Sequence, residues 1–104
     1  MNTTTNTPMK TARNVRFDIK QGKRDEFTRL FNDEVIPMLR KQDGFHSELA
    51  LVHDAHASAI SLWKDSGSAE KYQEEIYPQL MRRLEPVMSG APTVETYEVC
   101  ATTL

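Results

Sequence analysis

The stretch AISLWKDSGSAEKYQEEIY, Ala59–Tyr77, decides the fold, because the hydrophobic period changes inside it. The residues up to Trp63 read as a strand. Asp65, Ser66 and Ser68 are N-cap types, and Tyr72, Ile76, Leu80 and Leu84 then recur every fourth residue, so the spacing predicts a helix. Pro78 predicts a break, with a second helical piece starting near it. The one tryptophan of the chain therefore stands at a strand-to-helix junction. There it serves either as core filler or as one wall of a site.

Upstream, HSELALVHD alternates, with Ser47, Leu49, Leu51 and His53 on one face and His46, Glu48, Ala50 and Val52 on the other. The connector DAHA, Asp54–Ala57, joins it to SAISLWK as an antiparallel hairpin. Nearer the start, NVRFDIK places Val15, Phe17 and Ile19 opposite Asn14, Arg16 and Asp18, a half-buried strand. QGK, Gln21–Lys23, is a turn. From Arg24 to Gln42, Phe27, Leu30, Phe31, Val35, Met38 and Leu39 trace an amphipathic helix, which Pro37 should kink or split near Val35. Gly44 ends it. After the loop SGAP, TVETYEV alternates as a last strand reaching toward Cys100. Strand, helix, strand, strand, helix, strand in about 90 residues is the ferredoxin-like α+β arrangement: one antiparallel sheet with both helices on one face. The other sheet face is left bare, which predicts a homodimer packed sheet to sheet.

Composition narrows the function. A chain of 104 residues is one domain, here residues 11–104 behind a polar tail at residues 1–10 that is expected to be flexible. Lysines and arginines are interleaved with acids at a net charge of -2, which argues against a nucleic-acid face. No apolar run approaches the roughly 20 residues needed to span a membrane, and the start lacks the apolar region of a signal peptide. One cysteine, Cys100, excludes an internal disulfide. The expected location is cytoplasmic.

NVRFDIKQGKRDEF, DGFHSELAL, ISLWKDSGSAEKYQ and PTVETYEV, in this order and spacing, resemble the antibiotic-biosynthesis-monooxygenase-like family. The resemblance runs from Thr11 to Cys100. Gly22, Gly44, Phe45 and the strand-ending Trp63 carry it. It implies a dimeric α/β barrel, a ligand cleft between sheet and helices, and oxygenation of phenols or quinols with no flavin, haem or metal. Some relatives in that family bind and degrade haem with a strand-one Asn, the strand-ending Trp and a helix-two His. Asn14 lies near the first position and Trp63 matches the second. The third falls at Leu80–Arg82, which holds Met81 and no histidine. No cofactor is therefore expected.

Within such a cleft, Trp63 would wall a planar aromatic ligand, with Asn14 and Met81 beside it. Tyr72 and Tyr77 would hold its polar atoms. Cofactor-free oxygenation needs a substrate anion, so it needs a proton acceptor in a desolvated pocket. His53 and His46 are the candidate bases, while His56 lies in a polar connector. Their spacing is not that of a metal site. The rival to an enzyme is a binding or stress-related dimer whose pocket is filled by its own side chains. An open void with a titratable group near Trp63 favours the enzyme, and a fully packed Trp63 favours the rival.

Overall fold

The computed structural model describes residues 9–104. Its elements run β1 (Thr11–Asp18), α1 (Arg24–Leu30), a π-helical turn (Phe31–Val35), α2 (Ile36–Arg40), β2 (Phe45–His53), β3 (His56–Trp63), α3 (Ser66–Glu75), α4 (Tyr77–Leu84), a 3-10 turn (Glu85–Val87) and β4 (Thr93–Glu98). The sheet order is β2-β3-β1-β4, every pair antiparallel, which is the ferredoxin-like α+β topology. Residues 1–8 of the expected tail lie outside the described residues. Met9 is already buried, and Lys10 accepts from Val99 N–H at 2.8 Å and donates to the Trp63 carbonyl at 3.0 Å, so organised chain begins ahead of Thr11.

Alternation along β1 buries Thr11, Arg13, Val15 and Phe17 under the helices. Registered against them, Ala57, Ala59, Ser61 and Trp63 of β3 are buried too. Phe27, Leu30, Phe31, Val35 and Leu39 come down from the first helical layer. Tyr72, Tyr77, Leu80 and Leu84 come from the second. Together they form one core between sheet and helices.

Pro37 acts where the sequence places it, although the helix changes pitch and is not split. Pro37 has no N–H to offer the Asp33 carbonyl. The Ile36 N–H instead reaches back five residues to the Phe31 carbonyl, the signature of a π turn. Pro78 stands in the first turn of α4, where a missing N–H costs nothing. The Asp65 carboxylate caps α3, accepting from Ser68 N–H at 2.8 Å, and this hydrogen bond holds its pKa below the usual carboxylate value. Gly44 has φ +82 and packs so close to that helix start that a Cβ would fall 2.2 Å from Ser68 Oγ.

Two features of the hairpin differ from the sequence reading. Its turn is only Asp54–Ala55, since His53 pairs with His56, and β3 therefore starts earlier than expected. Asp54 takes the left-handed conformation, φ 54, that so tight a turn demands and that Asp tolerates. At the other end a β-bulge lies between Phe45 and Ser47, with His46 as the extra residue. Phe45 and Glu48, three apart, consequently both face the helices, and His46 swings out to solvent.

Candidate functional site

The centre of the helix-facing sheet surface is polar. Arg13 lies mid-sheet between Ser61 of β3 and Thr96 of β4, and is only 3% exposed. Two phenol rings cover its guanidinium: Cζ stands 4.9 Å from the centre of the Tyr72 ring and 4.8 Å from that of Tyr77. Its Nη2 donates to Gln73 Oε1. These ring faces offer the cation part of what water would have given it. Burial still pushes its pKa below the usual guanidinium value. It remains a cation at neutral pH all the same, because an arginine starts so high.

Glu48 comes in from the neighbouring edge strand. It pairs with Ser61, so Arg13, Ser61 and Glu48 form a row across three strands. The Glu48 Oε1 atom is buried and has no hydrogen-bond partner among the described residues, and the same is true of the Tyr77 hydroxyl. Burial drives the Glu48 pKa up to about 8, against the pull of the Arg13 charge, so the carboxyl is mostly protonated at neutral pH. Burial also raises Tyr72 and Tyr77, keeping both as neutral phenols.

Trp63 completes one end. Its indole is 0% exposed, stacks at 4.9 Å on Tyr72 and meets Phe45 edge-on at 5.5 Å. Its Nε1–H donates to Ser61 Oγ at 2.8 Å, so no polar atom of the ring is stranded. Beside Arg13 and Glu48, and behind Tyr72 as seen from Trp63, which does not line it, lies a cavity of about 20 Å³ bounded by Arg13, Phe31, Glu48, Ser61, Tyr72 and Met81. That is room for about one water molecule. The chamber is small, and Glu48 and Met81 at its edge are only half-buried.

The structure thus brings together Trp63, Tyr72, Tyr77 and Met81. It does not bring in the histidines. His46 is the bulged residue, exposed, with its ring within 3.1 Å of Ser47 Oγ. His53 stands at the hairpin tip, its side chain 90% exposed, 3.5 Å from Asp54. His56 meets Asp18 at 2.9 Å, also in solvent. None of the three can take a proton inside the chamber, and the titratable groups there are Glu48, Arg13 and the two tyrosines. Asn14 is likewise not at the cleft. It points to the opposite sheet face beside Ile60 and Glu95, where its Oδ1 is buried and unpaired.

Arg13 and Glu48 are the additions that sequence reading missed. Extending the alternation of Val15 and Phe17 one step back would have put Arg13 on the buried face. Glu48 needed the inward face of β2 to be known. The sequence leaves that open, because Leu49 and Leu51 on one side look as apolar as Ala50 and Val52 on the other.

No protein-family model and no curated protein matches the chain. Solved structures match its fold over nearly its full length. NE2512, a protein of unknown function from Nitrosomonas europaea, superposes with a TM-score of 0.79 at 21% identity, covering 95% of this chain and 97% of that one. SnoaB, a cofactor-independent oxygenase from Streptomyces nogalater, gives 0.76 at 15%, covering 92% and 98%. The ActVA-Orf6 monooxygenase of Streptomyces coelicolor, solved with nanaomycin D, gives 0.76 at 14%, covering 92% of each. The fold expected from the sequence resemblance is therefore the fold observed, and antibiotic-biosynthesis-monooxygenase-like proteins are among its structural neighbours. At these identities the likeness concerns the fold.

Proposed function

We propose that this protein binds a flat, hydroxylated aromatic molecule between its sheet and its helices and oxygenates it with no added cofactor. The observation that carries the reading is the polar row at the heart of an apolar core. A core that served only to hold the fold would gain nothing from a buried guanidinium beside a carboxyl with an unpaired oxygen. Apolar residues of the same volume hold such places at least as well. The oxygenase neighbours SnoaB and ActVA-Orf6 support the same reading.

The chemistry asks for little that this chain lacks. A phenol or quinol gives up a proton, and its anion passes one electron to dioxygen. The two radicals then combine as a peroxide. For a ring methylene, one oxygen atom ends as the new carbonyl, the other leaves as water, and the methylene hydrogens go to that water. Arg13 would hold the anion in a water-poor chamber, where its charge counts most. Trp63 and Tyr72 would supply flat walls. Haem does not fit these residues: α4 carries no histidine, and Met81 is at the edge of a cavity of about 20 Å³.

A second reading, a binding protein without catalysis, is favoured by the full burial of Trp63 and by that small cavity. Oxygen uptake separates the two. The purified protein is mixed with a panel of anthrones and quinols beside Trp63→Phe and a protein-free control. Uptake above the control that falls several-fold in the variant is the expected result. Ligand binding with no uptake on any compound leaves the second reading.

The open sheet face carries exposed Leu49, Leu51 and Tyr97 around half-buried Ile60 and Leu62. A second copy of the chain, sheet against sheet, would cover them, and the homodimer is part of this proposal.

A further inference from the structure

A second hollow lies directly outside the chamber. It is a groove of about 210 Å³ between the first helical layer and the edge strand β2, with Phe27, Phe31, Ile36, Ala50 and Val52 as apolar lining and Thr28 and Asn32 as polar rim. Phe31 and Glu48 line both this groove and the inner cavity. Among the described residues, only these two side chains are common to the two hollows. One is an aromatic ring, the other a carboxyl with an unpaired buried oxygen.

The wall that carries Phe31 is the weak one. Phe31 opens the π turn, and its carbonyl receives the lengthened bond from Ile36. The next carbonyls along the same wall lose a donor at Pro37. A π turn passes to an α turn by shifting one residue of hydrogen-bond register, and such a shift rotates the side chains it carries. The second helical layer is broken as well, at Ile76 between α3 and α4, but the residues by which it lines the inner cavity, Tyr72 and Met81, stand within α3 and α4 and not at the break.

We propose that groove and chamber are two halves of one ligand site, reached between the π turn and β2, with Phe31 as the movable partition and Glu48 as the group that takes the ligand's hydroxyl proton. This rests on the reading of a flat hydroxylated aromatic ligand given above, and it adds the route, the orientation and the proton acceptor. The ligand is a fused-ring phenol or quinol, its apolar end in the groove and its hydroxyl on Glu48. In the ionised fraction of Glu48, which grows as pH approaches about 8, the ligand O–H bond breaks, the proton goes to the carboxylate oxygen, and the electron pair stays on the ligand oxygen, facing the Arg13 charge. Other titratable groups facing Glu48 across the chamber are Arg13 from β1 and Tyr72 from α3, while the helical layer offers it only the uncharged Thr28 and Asn32 along the groove.

The test uses naphthol and its methyl ether as probes, followed by Trp63 fluorescence and by amide chemical shifts of the full chain. Naphthol is expected to shift Thr28, Asn32 and Ala50 in the groove together with Trp63 and Tyr72 inside. Ala50→Phe, which fills the groove from an edge position, is expected to weaken naphthol roughly tenfold or more. Glu48→Gln keeps the shape of the side chain. It is expected to weaken naphthol by roughly tenfold and leave the ether unchanged. Shifts confined to the open sheet face overturn the proposal, as does no binding, or equal loss of naphthol and ether in Glu48→Gln. Binding that follows this pattern without oxygen uptake leaves the site standing and removes the oxygenase reading. Oxygen uptake untouched by Ala50→Phe does the reverse.

Discussion

Arg13 and Asn14 are neighbours in sequence, yet they belong to opposite faces of one sheet, and the two faces handle polarity differently. On the helix side, Arg13, Ser61 and Glu48 form a polar row sealed under aromatic rings. On the open side, Arg16 pairs with Glu95 at 3.1 Å in solvent, while Leu49, Leu51 and Tyr97 stand exposed around them. One face hides charge and the other shows grease. Each is the reverse of what stability alone would select. The buried charge is where the proposed ligand would sit, and the exposed apolar area is what the proposed second copy would cover.

The comparison breaks first at Trp63. Trp63→Ala removes the largest fully buried side chain, and about 4 kcal/mol of unfolding free energy should go with it in urea denaturation. A loss below about 1 kcal/mol would mean that the sealed face is not the stabilising one. The open face is tested by Leu49→Asp combined with Leu51→Asp. Sedimentation should show the proposed dimer dissociating on the order of a hundredfold more readily, about 3 kcal/mol, with the monomer still folded. A double variant that stays as associated as the parent chain would move the interface off this face.

Glu48→Gln probes the sealed face through pH. The carboxyl has a value of about 8 in the folded protein against 4.5 for the unfolded chain. Between these values the folded protein holds a proton that the unfolded chain has released, so stability falls as pH rises from about 4.5 to about 8. Glutamine lacks that slope. Relative to the parent protein, the variant should gain about 2 kcal/mol in going from pH 5 to about pH 6.5, read from thermal melts. Parallel pH curves for the two would mean that Glu48 is solvated. The smallest effect belongs to His53→Ala, at an exposed tip: within about 0.5 kcal/mol, and no change in naphthol affinity.

Periodicity was enough for the order of elements, since Val15 with Phe17 repeat at two and Phe27 with Phe31 at four. Trp63, Tyr72, Tyr77 and Met81 are grouped through the family resemblance and not by period, and they lie along a strand end and two helices packed over it. At β2 the period held from Ser47 to His53 and failed only at His46. His46 is an extra residue in the pleat, and no composition signal marks a bulge there. The histidines were chosen by the acidity of imidazole, but solvent exposure overrides residue type. A glutamate beside Phe31 and Tyr72 stands inside the chamber, where none of them reaches, and burial raises its pKa.

The bulge at His46 also divides β2 into two reading frames. Ahead of it, the chain from α2 can gain or lose residues, and the slack is taken up before the chamber is reached. Behind it, Glu48, Ala50 and Val52 are locked in phase with Ser61, Ala59 and Ala57. One residue inserted there exchanges the inside of the protein for its outside, bringing Leu49 under Arg13 and turning Glu48 to the water. In the history of such a chain, variation in length is expected to gather before His46, and variation in side chain after it.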